Sequence, residues 1–152
     1  MNVWQEAKRV LTTSPAGAER DEYIDTLADR VLKLSATPET EEALDVLIQA
    51  LSLAQRELTL RSAALAVAVI APSDNEDAVD ALLTAFRQHR RHRFLAPAIL
   101  EALTLLALRN PVARLETAPL LIRLTPHDSR YLLIKSAKMI TRLDPLLRST
   151  EL

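Results

Sequence analysis

The chain carries an apolar stripe of four residues at i, i+4, i+7 and i+10, and repeats it at intervals of 36, 35 and 38 residues. The stripes are Ile24/Ala28/Val31/Leu34, Leu60/Ala64/Val67/Ile70, Leu95/Ile99/Ala102/Leu105 and Leu133/Ala137/Ile140/Leu143. At 3.6 residues per turn each lies along one side of an α-helix. A second set, Leu47-Ile48 with Leu51, Leu82-Leu83 with Phe86 and Leu120-Leu121 with Leu124, recurs in the segments between them at offsets of 35 and 38 residues. Two registers with one period imply paired helices, because a short helical unit cannot bury its apolar face alone and must stack on its neighbours.

Composition supports helix over sheet. The residues are 49% hydrophobic but only 3% aromatic, and a single glycine is present, so Leu, Ala, Val and Ile must supply the packing. A hairpin-rich sheet needs glycine turns and β-branched or aromatic strands. The expectation is an all-α protein with eight helices, at roughly 2–12, 19–35, 39–53, 56–71, 75–88, 92–108, 111–124 and 129–143. Ser14-Pro15-Ala16-Gly17, Thr37-Pro38, Pro72-Ser73-Asp74, Asn110-Pro111 and Thr125-Pro126 punctuate them. Ser73 or Asp74 is expected to cap the fifth helix, and Pro38 to open the third. No linker is long enough to divide the chain, so residues 1–152 read as a single domain.

The last pair is the most informative. Ala118-Pro119-Leu120-Leu121-Ile122-Arg123-Leu124, the turn Thr125-Pro126-His127-Asp128 and the helix around Ser136-Ala137 follow an order of elements that resembles a HEAT-type repeat. Leu60-Arg61 with Ala63-Ala64, and Glu101-Ala102-Leu103, resemble parts of that family's second helix. The family's arginine near the start of that helix occurs only as Arg61, with Asp25, Ala96 and Ile134 elsewhere. The resemblance covers about residues 20 to 143 and implies a right-handed α-α superhelix, a solenoid of four stacked helix pairs. Residues 1–18 would then form an N-terminal cap and residues 144–152 a C-terminal tail. It also implies a protein–protein interaction scaffold rather than an enzyme.

In such an array the helix side opposite the buried stripe faces a binding surface. That row reads Thr26/Asp29/Lys33, Ser62/Leu65/Val69, Pro97/Leu100/Thr104 and Lys135/Lys138/Arg142, passing from mixed polar through apolar to cationic. A contiguous exposed apolar patch marks an interaction site, and a cationic end orients an acidic partner. Leu65, Val69, Leu100, Lys135, Lys138 and Arg142 are therefore the expected contacts for an acidic amphipathic peptide or helix. The same pattern also suits burial inside a compact bundle, or self-association.

Charge is divided along the chain. Residues 1–86 have a balance of −8 and residues 87–152 a balance of +7, although the whole carries −1. Such ends favour either a homo-oligomer through complementary surfaces or separate partners. The densest basic run, Arg87-Gln88-His89-Arg90-Arg91-His92-Arg93, offers Arg87, Arg90, Arg91 and Arg93 to nucleic acid or another polyanion as the alternative reading. Phe94 is expected in the core at the helix entry, which leaves that run without an aromatic platform for bases.

No chemistry emerges beyond this. Cysteine is absent, which excludes disulfides and thiolate metal sites. His89-x-x-His92 has the spacing for two ligands but lacks a third, so neither a metal nor any other cofactor is expected. One glycine cannot build a phosphate-binding loop, a dinucleotide fingerprint or a nucleophile elbow. Asp21-Glu22, Glu41-Glu42 and Glu76-Asp77 sit in first turns, where the helix dipole accounts for them. The N-terminus lacks a secretory apolar core, and the stretch from Ser62 to Ser73 is too short to span a bilayer. These features predict a cytoplasmic protein with no membrane partner.

Overall fold

A computed structural model describes residues 2–34, 40–122 and 130–150, and all of the secondary structure in them is helical. The helices are α1 (Val3–Thr13), α2 (Ala18–Leu34), α3 (Thr40–Leu53), α4 (Glu57–Ile70), α5 (Glu76–His89), α6 (Leu95–Ala107), α7 (Pro111–Ile122) and α8 (Arg130–Thr150). The turns expected at Thr37-Pro38 and Thr125-Pro126-His127-Asp128 lie outside the described residues. Packing groups the chain into two compact units, Met1–Ala71 and Pro72–Leu152. Among the described residues no helix is long and apolar enough to cross a membrane.

In the first unit α1 packs on α3, α2 packs on α4, and α3 touches both α2 and α4. The spacing of apolar residues dictates this. Trp4, Ala7 and Leu11 form one buried stripe on α1, and Ile24, Ala28 and Val31 form another on α2. Leu60, Ala64, Val67 and Ile70 are all buried on α4, as their periodicity requires. The start of α1 is closed by a capping box: the Asn2 side chain accepts from the Gln5 amide at 2.9 Å, and the Gln5 side chain accepts from the Asn2 amide at 3.2 Å. Asn2 Nδ2 also donates to Glu42 at 2.8 Å, which fastens α1 to α3.

A buried carboxylate ties the two hairpins of this unit together. Asp21, on the first turn of α2, accepts from the backbone amides of Gln55 and Arg56 at 3.2 and 2.7 Å, just before α4 begins. These amides precede the α4 hydrogen-bond ladder and need an outside acceptor. Arg56 reaches back to Asp25 at 2.7 Å, and Arg20 Nη2 donates to the Leu53 carbonyl at the end of α3. Asp21 therefore does more than complement the dipole of its own helix.

In the second unit α6 is central, packing on α5, α7 and α8, while α5 also meets α7 and α7 meets α8. Asn75, not Ser73 or Asp74, caps α5, accepting from the Ala78 amide at 2.8 Å. Asn110 caps α7 in the same way through Ala113. Arg114, largely buried, donates from Nε to the Ala107 carbonyl at 3.0 Å and so satisfies the end of α6. Pro119 lies on the exposed side of α7 together with Leu115, whose carbonyl loses its helical donor to the proline.

Two expectations about α8 are corrected. The helix runs through Pro145 to Thr150 instead of ending near residue 143, and an Asp144–Arg148 ion pair of 3.1 Å spans the added turn. Its buried side is Ser136, Met139 and Leu143, whereas Ala137 is exposed and Ile140 half-buried. The buried side is thus rotated from the expected stripe, with Met139 in place of Ala137, and the Leu133 side chain lies outside the described residues.

Candidate functional site

The outward side of α4 presents Leu58, Ser62, Leu65 and Val69 at i, i+4, i+7 and i+11. Leu58 is 70% exposed and Leu65 38%, with Ser62 and Val69 half-buried. Extending the Ser62/Leu65/Val69 row by one turn would have found Leu58 from the sequence. On α2 the matching residues Thr26, Asp29 and Lys33 are exposed, and Asp29 pairs with Lys33 at 2.8 Å. That hydrogen bond holds Lys33 protonated above its ordinary range. Thr26, Asp29 and Ser62 meet around a shallow depression of about 370 Å³, together with Asp25 and Leu32.

The third row departs from expectation. Leu100 and Thr104 are fully buried, and Pro97 is buried with them. Three helices surround α6, which leaves only Ala98, Glu101, Leu105 and Leu108 outside the core. Leu100 is thus a core residue, with Thr104 donating to its carbonyl at 2.9 Å. In the same unit Lys135 is half-buried and bound to Glu101 at 2.7 Å, linking α8 to the outer strip of α6. Lys138 and Arg142 follow Lys135 along one side of α8 and are exposed, with no carboxylate within ion-pair distance among the described residues.

The basic run forms the end of α5 and the turn into α6. Arg87, Arg91 and Arg93 are exposed, while the Arg90 guanidinium lies 6.0 Å from the centroid of the buried Phe86 ring. Phe94 is not in the core: it is 57% exposed, at the N-cap of α6, with the Arg93 guanidinium 5.2 Å from its ring centroid. The core position expected of it belongs to Leu95 and Ala96, the next two residues. His92 fixes the turn, its Nδ1 accepting from the Leu95 amide at 3.0 Å. That lone pair is spent on a helix cap, and among the described residues no group of three His, Asp or Glu side chains is arranged to hold a metal. Burial, and secondarily the charge of His92, push His89 below its ordinary pKa.

A further depression of about 410 Å³ in the first unit is lined by Val10, Pro15, Gly17, Arg20 and Tyr23 among others. Burial, then Glu6, push the Tyr23 hydroxyl up against the opposing effect of Arg9, so it stays protonated at neutral pH. The Arg20 Nη2 group there is already committed to Leu53. Neither side chain is arranged as a nucleophile with an adjacent base. No known family, no curated protein and no solved structure matches the chain.

Proposed function

We propose that the chain is a non-enzymatic interaction module, a right-handed array of four HEAT-type helix pairs over residues 1–152. The even-numbered helices receive another protein. The observation that carries this reading is the line of Leu58, Leu65 and Val69 along α4, where two exposed leucines and a half-buried valine stand outside the apolar core. In the second unit the half-buried Leu105 and Leu108 accompany the exposed Lys138 and Arg142, a combination suited to an amphipathic partner with acidic flanks. The paired-helix contacts within each unit, odd on odd and even on even, support the stacked-hairpin reading. A cytoplasmic location accompanies the proposal.

The test is a titration with a fluorescein-labelled amphipathic peptide carrying leucines on one face and glutamates beside them. Binding to the intact chain is expected, with loss on Leu65→Asp in the first unit and weakening on Lys138→Glu with Arg142→Glu in the second. Absence of binding to the unmodified chain, or equal binding by all variants, would refute it.

A further inference from the structure

The α5–α6 turn combines three features that the partner-binding face of the even helices does not explain. First, it is locally rich in cations: no acidic residue occurs between Asp80 and Glu101 in the sequence, and Glu101 is bound to Lys135. Among the described residues Arg87, Arg91 and Arg93 have no carboxylate within ion-pair distance. Second, it holds an aromatic ring outside the core, because Phe94 is 57% exposed although Leu95 and Ala96 beside it are buried. An exposed phenylalanine next to a guanidinium forms a flat, cationic platform. Third, the turn is ordered: the His92 amide donates to the His89 carbonyl at 2.9 Å, the Ala96 amide to the His92 carbonyl at 3.1 Å, and the Leu95 amide to the His92 ring. A platform fixed in advance loses little entropy on binding.

We propose that this turn is a binding site for single-stranded nucleic acid, with Arg87, Arg91 and Arg93 on the phosphates and an unpaired base stacked on Phe94. Guanidinium forks match phosphate oxygens, and every base offers a π-face to an aromatic ring. A duplex would hide the face that Phe94 needs, so an unpaired strand is the better ligand. The site uses none of the residues of the proposed protein-binding surface, and either proposal can fail without the other.

The test uses fluorescence anisotropy of the full chain with labelled oligothymidylate and oligouridylate, which separates DNA from RNA as the source of the same chemistry. Binding to at least one is expected. With three phosphates neutralised, affinity should fall about 20-fold between 50 and 200 mM salt. Phe94→Ala should weaken binding about tenfold while Phe94→Tyr retains it. Arg91→Gln with Arg93→Gln should weaken binding and flatten the salt dependence. All three positions are exposed, and unchanged circular dichroism and melting temperature verify the fold of each variant. No binding to either oligonucleotide at 50 mM salt would overturn the proposal. So would Phe94→Ala binding as tightly as the unmodified chain, or polyglutamate binding as tightly as the oligonucleotides.

Discussion

Asn110 Nδ2 donates a hydrogen bond of 3.2 Å to the backbone carbonyl of Asn75, which lies 35 residues earlier at the start of α5. Each asparagine also caps its own helix, through the amides of Ala78 and Ala113. One residue type thus starts two successive odd-numbered helices and joins their starts. Asn110→Ala should cost about 2 kcal/mol, because it removes a buried cap and the link together. Asn75→Ala should cost about 1 kcal/mol, since its carbonyl remains to accept. Urea denaturation of both variants checks this, and equal losses would show that the link between caps contributes nothing.

The outward side of α4 is distinguished from its core side by a single position. Leu65→Asp should change stability by less than about 1 kcal/mol, because the side chain is 38% exposed. Ala64→Asp should cost several kcal/mol, because Ala64 is fully buried and the new carboxylate would have no partner. Thermal melts of the pair decide the matter, and an equal loss in both would remove α4 as an accessible surface.

Two buried threonines make opposite predictions. The Thr59 hydroxyl has no hydrogen-bond partner among the described residues, whereas that of Thr104 donates to the Leu100 carbonyl. Thr59→Val should stabilise by about 1 kcal/mol, since it replaces an unsatisfied group with an apolar one of like shape. Thr104→Val should be neutral or mildly destabilising. Denaturant midpoints measured side by side test the difference.

How far the architecture was legible depended on what each signal encodes. The stripes on α2 and α4 located helices and buried sides, because apolar periodicity reports directly on burial. Periodicity does not report how many neighbours a helix has. The α4 and α6 sequences are both apolar nearly all round, yet Leu65 reaches solvent while Leu100 is enclosed by a helix with three partners in its unit. Phe94 shows the same limit at a helix start, where hydrophobicity suggests burial but the residue stands at the N-cap and is exposed. In the sequence Asp21 and Asn110 are legible only as first-turn and turn residues. Their long-range hydrogen bonds depend on where other helices begin, which no local pattern contains.

Stability should depend on pH through His89. Burial disfavours its charged form, with His92 adding repulsion, so its folded pKa lies below the unfolded value of about 6.5. The unfolded chain then binds the proton more readily, and stability is full above that value and is lost as pH falls through it toward the folded pKa. His89→Gln should reduce the drop in melting temperature between about pH 7.5 and about pH 5. Parallel drops in the variant and the unmodified chain would show that His89 contributes nothing.

Within each unit every helix packs on helices no more than two places away in the chain. Such wiring closes only short loops, so little entropy is lost before each contact forms, and folding should be fast for a chain of this length. An early hairpin can gain its partners while the later ones are still being synthesised.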